Sequence, residues 1–291
     1  MMKRLRWVLA VIAVLGLVAL VAGYGLMRGW HIERVTASEL SAKLRPHDTI
    51  LRPEGDGPFP AVVLMHGCSG VKENNHGWAE FFRDQGYVAV IVDSLNPRGL
   101  RNELDNGVCD GSVLWGGERA GDLLVTLADV RALPFVDTSK IALAGWSHGG
   151  WTIMEALALE GADELPPGLS DDPGGLDGVV GSALIYPYCG ALSLSYWGKP
   201  WAGSVPSLML LAGKDQMIST PECLETAQRL EADGQPMSVH VYPDADHAFD
   251  YTDLEPDSAF SYDPEVTADA RARVSRFLQS VFGSGSPTAG E

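Results

Sequence analysis

The sequence predicts one α/β domain built on a mostly parallel sheet with helices on both faces. Three observations carry this. Short apolar runs of strand type alternate with longer segments of helical periodicity. The short runs are continuously apolar, as in strands buried on both faces. No internal repeat or linker interrupts the alternation, and 291 residues suffice for one large core.

Taken in order, residues 1–30 stand apart from the domain. Lys3, Arg4 and Arg6 precede an uncharged apolar run over 7–27. That is long enough for a bilayer-spanning helix of about 20 residues. It exceeds the apolar core of about 7–15 residues of a cleavable signal peptide. An uncleaved signal anchor is the first expectation and a cleaved signal the second. Either places the domain outside the cytoplasm, periplasmic or extracellular, because the positive flank stays inside.

The domain is expected over 31–282. Residues 31–47 read as a polar connector and 49–52 as a short edge strand. A turn rich in Pro and Gly spans 53–60. Strands follow at 61–65 and 88–92, with a helix at 78–85 between them. A helix at 119–133 carries Leu123, Leu127 and Val130 on one face. A strand at 141–144 leads into a helix at 151–159. After a loop over 161–175 come strands at 179–185, 207–211 and 238–242, a helix at 221–231 and a closing helix at 265–282. Residues 283–291 read as a disordered tail.

The formal charge of −17 opposes nucleic acid as a partner, since phosphate binding needs a basic face. No His-Glu-x-x-His, Walker loop or Gly-x-Gly-x-x-Gly occurs after a strand, so no motif calls for a metal or cofactor. Nothing sets an oligomeric state.

The chemistry concentrates at Gly145-Trp146-Ser147-His148-Gly149-Gly150. Gly-x-Ser-x-Gly between a strand and a helix is the nucleophile elbow of an α/β-hydrolase. The sharp turn lifts the serine hydroxyl above the sheet edge. A side chain at 145 or 149 would strike the adjacent strand or helix. In this fold the acid and base follow the serine in chain order. Asp215 comes just after the strand at 207–211 and His247 just after that at 238–242, both at carboxyl ends where such sites lie. Ser147, His247 and Asp215 therefore read as nucleophile, base and orienting acid. Asp246 and Asp250 compete for the acid's role, but Asp215 can reach the imidazole from behind. The oxyanion hole needs two N–H donors. His148 follows the serine, and Cys68 lies in the loop His66-Gly67-Cys68-Ser69-Gly70. His66 is expected to bond within its own loop.

Four cysteines, with no Cys-x-x-Cys, suit an exported chain with two disulfides. Cys189 and Cys223 follow neighbouring strands at one edge and are the first candidate pair. Cys68 and Cys109 remain as the second.

On these residues the chain resembles the dienelactone hydrolase family over roughly 48–280. The resemblance rests on the His66–Gly70 loop, Gly86-Tyr87-Val88 to Val92-Asp93-Ser94, and Asn96-Pro97-Arg98-Gly99. It continues through Pro134-Phe135-Val136-Asp137, the elbow, Tyr186-Pro187-Tyr188-Cys189, Gly213-Lys214-Asp215 and Asp246-His247-Ala248-Phe249-Asp250. Family members proper use a cysteine nucleophile and a glutamate after the first-loop histidine. Ser147 and Gly67 hold those positions here, so the resemblance implies a serine esterase acting on small-molecule esters or lactones. Arg98 is placed either to meet a substrate carboxylate or to be part of a structural salt bridge or a surface arginine. An acyl-peptide or thioester hydrolase would use the same triad. A binding or scaffold protein on this fold is the non-enzyme alternative, and it would have no need of a strained serine.

Overall fold

A twisted sheet organises the domain in the computed structural model, which describes residues 31–100, 106–201, 203, 205–254 and 258–283, with scattered positions between 4 and 25. Among the described residues the sheet has seven strands. They are β1 (Thr49–Leu51), β2 (Phe59–Met65), β3 (Val88–Val92), β4 (Val136–Trp146), β5 (Val179–Ile185), β6 (Ser207–Ala212) and β7 (Met237–Tyr242). Their spatial order is β1-β3-β2-β4-β5-β6-β7. The edge strand β1 pairs antiparallel with β3, and the other neighbours pair in parallel. Their carboxyl ends therefore share one edge, and the first loop, the elbow and the loops of Asp215 and His247 all emerge there.

Among the described residues, α2 (Glu73–Asp84), α3 (Gly116–Arg131), α4 (His148–Glu160), α5 (Thr220–Ala232) and α6 (Pro264–Gly283) cover the two faces, and α1 (Ala37–Leu44) packs outside them on α3. Side chains alternate across each strand. Val63 and Leu143 thus pack with Leu123 and Leu127 of α3, Leu157 of α4 and Leu230 of α5. Val62, Leu64 and Ala144 face the other way, onto Trp78 and Phe82 of α2 and Val274 and Leu278 of α6. Helix α4 runs through the interior, with every residue from His148 to Leu159 buried.

One element departs from the expected connector. Residues 37–44 form α1, started by a capping box. Glu39 N–H donates to Thr36 Oγ1 (3.2 Å) and Thr36 N–H to Glu39 Oε2 (2.8 Å). Leu40 and Leu44, one turn apart, pack on Val125 and Leu169. Strand β4 begins five residues before its expected apolar run, at Val136, because Phe59 of β2 pairs with that residue.

Most of the apolar run over 7–27 lies outside the described residues. Among the described residues, no helix is long and apolar enough to cross a membrane. The positions described there are helical, and Trp7, Ile12, Leu15 and Leu17 are exposed. The expected tail also lies outside the described residues beyond Gly283, which closes α6.

Candidate active site

Ser147 occupies the single residue between β4 and α4, at φ 52° and ψ −113°. A non-glycine residue rarely adopts that backbone, and surrounding contacts must hold it there. The flanking glycines show how tight the turn is. A Cβ on Gly149 would lie 1.9 Å from the Met65 carbonyl oxygen of β2. One on Gly145 would lie 2.5 Å from the Gly149 carbonyl oxygen. Close approach of α4 to β2 and β4 therefore depends on both glycines, as the sequence implied.

His247, in the loop after β7, approaches Ser147 with Nε2 3.1 Å from Oγ. Its Nδ1 lies 2.7 Å from Asp215 Oδ2. Both side chains are nearly inaccessible, at 7% for His247 and 2% for Asp215. The other carboxylate oxygen, Asp215 Oδ1, accepts from Met217 N–H and Ile218 N–H, each at 2.9 Å. These bonds fix the acid from the side away from the imidazole. The Tyr186 ring packs against the imidazole at 4.7 Å between centroids.

The competing aspartates are occupied otherwise. Asp246 Oδ1 accepts the backbone N–H of His247 at 2.7 Å, so it shapes the loop. Asp250 lies buried, and its carboxylate accepts from Trp78 Nε1 (2.7 Å), Trp146 Nε1 (2.8 Å) and the Tyr186 hydroxyl.

Cys68 and His148 line the cavity of about 140 Å³ at Ser147, together with Trp151, Tyr188 and Ile218. His148 opens α4, so its N–H is among the helix's unpaired first donors. Gly67 leaves the approach open, since a Cβ there would sit 3.7 Å from Ser147 Cβ and 3.2 Å from the Tyr251 hydroxyl. Neither neighbouring histidine competes as a base. His66 Nε2 accepts from Ser94 N–H (3.2 Å), which leaves Nδ1–H to donate to Gly67 O (2.5 Å). Burial, with Arg119 close by, holds the imidazoles of both His66 and His148 well below their ordinary pKa.

Arg119 is a site residue that sequence reasoning missed. It is fully buried on α3. Nη1 donates to His66 O (2.8 Å) and His148 Nδ1 (3.2 Å), and Nε to Ser94 Oγ (2.9 Å). One guanidinium thus ties the first loop to the residue after the serine. Burial lowers its pKa to about 10, which leaves it charged at neutral pH. The signal was available, because Arg119 stands four residues before Leu123 on the inward stripe of the helix.

Arg98 does not reach the serine. Its guanidinium grips Asp122 through two bonds (3.0 and 2.8 Å) and donates to Ser94 O (2.8 Å). The structural salt bridge is therefore formed, and Arg98 lines the larger neighbouring cavity rather than the one at Ser147. Paired in both directions on a carboxylate, Arg98 has its charge already matched.

Both disulfides are present as paired in the sequence. Cys189–Cys223 joins the loop after β5 to α5, and Cys68–Cys109 ties the first loop to the segment before α3.

Glu155 is a second residue the sequence did not expose. Trp151 Nε1 (2.9 Å), Ser193 Oγ (2.9 Å) and Leu194 N–H (2.8 Å) all donate to Oε1, while Oε2 has no hydrogen-bond partner among the described residues. Burial pushes its carboxyl from 4.5 up to about 7. The folded protein then holds this proton at pH values where the unfolded chain has lost it. The stability linked to the neutral acid is complete below the unfolded value and is lost as pH rises through about 7. Glu155→Gln is expected to flatten this fall, and urea midpoints at pH 5 and pH 8 measure it. Equal falls in both proteins would refute the assignment.

Comparisons with known proteins follow this geometry. The dienelactone hydrolase family model matches residues 177–282, and the prolyl oligopeptidase family model matches 76–163. Among solved structures, a putative dienelactone hydrolase from Klebsiella pneumoniae superposes with a TM-score of 0.59 at 21% identity. That match covers 81% of this chain and 92% of the other. Esterase 2 of Thermogutta terrifontis, phosphorylated by paraoxon, gives a TM-score of 0.62 at 17% identity over 81% and 89% of the two chains. These likenesses show the fold. A probable dipeptidyl-aminopeptidase B of Grosmannia clavigera is 25% identical over 211 residues, or 65% of this chain and 21% of that protein. Dipeptidyl aminopeptidase B of Saccharomyces cerevisiae is 26% identical over 207 residues, or 66% and 25%. The chain thus spans about a quarter or less of the length of these curated relatives.

Fold, elbow and matches are together similar to those of serine hydrolases with the α/β-hydrolase fold. The dienelactone hydrolase model matches the C-terminal part of the chain, which is less than half of it, and the prolyl oligopeptidase model matches the part before it.

Proposed function

We propose that the protein hydrolyses carboxylic esters or lactones through an acyl-enzyme on Ser147. The observation that carries this reading is the chain of contacts from Asp215 through His247 to a serine held at positive φ. In the first half-reaction Ser147 Oγ attacks the carbonyl carbon while His247 Nε2 takes the hydroxyl proton. The resulting oxyanion is held by the N–H groups of Cys68 and His148. Collapse of the adduct breaks the bond to the alcohol, which leaves with the proton from His247. Water then attacks the acyl group, His247 takes its proton, and release of the acid restores the serine. Asp215 fixes the imidazole tautomer and stabilises the imidazolium.

A second reading, hydrolysis of acyl-peptides, is favoured by the prolyl oligopeptidase match and the dipeptidyl-aminopeptidase relatives. A fluorophosphonate probe tests the hydrolase reading, and p-nitrophenyl esters against N-acetyl-alanine p-nitroanilide separate the two. Labelling lost in Ser147→Ala, with esters cleaved faster, supports the proposal. An unlabelled wild type would point to a scaffold.

The same proposal places the domain outside the cytoplasm behind an N-terminal anchor. Two disulfides and the apolar run over 7–27 support it. Deleting residues 1–28 is expected to move the protein from the membrane fraction to the soluble one. A full-length chain in a spheroplast that external protease cannot reach would sink this topology.

A further inference from the structure

The cavity at Ser147 is small. Its volume of about 140 Å³ is close to that of an engineered cavity of about 150 Å³ that binds benzene. An arm of about six non-hydrogen atoms fills such a space. Next to it lies a cavity of about 870 Å³, where Val35, Leu40 and Trp115 share the lining with Glu39, Lys43 and Glu118. That volume falls within the range of about 300–1,000 Å³ usual for small-molecule sites. Gly111 and Leu192 line both cavities. They also touch, for a Cβ built on Gly111 would lie 2.9 Å from Leu192 Cδ1.

We propose that the Gly111–Leu192 contact is the wall that limits the acyl group to short chains, and that the larger cavity is a long-chain acyl site closed off behind it. The inference rests on the reading of Ser147 as the acylated residue. Both sides of the wall are anchored. On one side, Cys68–Cys109 and the bond from Asn106 Nδ2 to Cys68 O (2.9 Å) tether the segment before Gly111 to the first loop. On the other, Glu155 Oε1 accepts from Ser193 Oγ and Leu194 N–H just beyond Leu192. The wall's position is therefore set by the same framework that shapes the oxyanion loop. The apolar part of the larger cavity's lining, Val35, Leu40 and Trp115, suits an alkyl chain, with the charged side chains at its margin. Gly111, at φ +75°, allows close contact where a side chain would collide.

Leu192 is 44% exposed, so its truncation leaves the core untouched. The test measures kcat/KM of the full-length protein on p-nitrophenyl acetate, butyrate, hexanoate, octanoate and decanoate. Wild type is expected to fall at least tenfold from butyrate to octanoate. Leu192→Ala joins the two spaces and is expected to raise the octanoate-to-butyrate ratio at least tenfold, with the acetate rate within about threefold of wild type. Leu192→Phe thickens the wall and is expected to keep the short-chain profile. A wild type that prefers octanoate, or a Leu192→Ala profile that parallels wild type, overturns the proposal. Ser147→Ala serves as the separate control. Hydrolysis surviving in that variant overturns the reading of the serine, whereas an unchanged chain-length profile with an inactive Ser147→Ala overturns the wall alone.

Discussion

Ser147→Ala is expected to lower turnover by several orders of magnitude while the protein stays folded. Members of a serine triad act as a unit, and in subtilisin loss of the serine costs about 10⁶ in kcat. The geometry concentrates this loss on one atom, because Ser147 Oγ is the group that His247 Nε2 meets, at 3.1 Å. Alanine also removes the hydroxyl without disturbing the glycines that set the turn. Cys68, the other side chain of nucleophilic type at the cavity, is bonded to Cys109 and has no thiol to offer. Ester hydrolysis by purified variant and wild type, with circular dichroism to confirm folding, decides the matter. Wild-type turnover in Ser147→Ala would remove the serine from the mechanism.

Asp215→Asn is expected to have the next largest effect, up to about 10⁴ in rate by analogy with the serine-protease aspartate. The amide can present an N–H to His247 Nδ1, which selects the tautomer with its proton on the wrong nitrogen. Imidazolium stabilisation is lost as well. Stability should change little, since an amide oxygen can still accept from Met217 N–H and Ile218 N–H. Asp246→Asn keeps an oxygen for the His247 N–H and should cost much less turnover. The opposite ranking in folded variants would mean that the acid has been misassigned.

Much of the fold was legible because burial on both faces leaves an unambiguous trace. Strands β3 and β5 match their expected bounds to the residue, since each is a short apolar run closed by turn residues. Helix α1 was harder to see. Only Leu40 and Leu44 are buried on its eight residues, although the Thr36-x-x-Glu39 capping box was in plain view. Chain order and strand ends brought Ser147, Asp215 and His247 together in the sequence, as they are in space. Hydrogen-bond partners could not be read in the same way. The sequence left the role of Arg98 open, and only the position of Asp122 one helix away shows the salt bridge. Asp250 was a candidate acid until three donors from distant segments proved to occupy it.

Those donors also bear on how the domain could be recombined. Trp78 and Trp146 lie in the stretch matching the prolyl oligopeptidase model, while Tyr186 and Asp250 lie in the stretch matching the dienelactone hydrolase model. Ser147 falls in the first stretch, and Asp215 and His247 in the second. The two matches are therefore not modules. A chimera that took one stretch from a relative would carry half of the relay and strand a buried carboxylate without two of its donors. Segments exchanged at this boundary must travel with their hydrogen-bond partners.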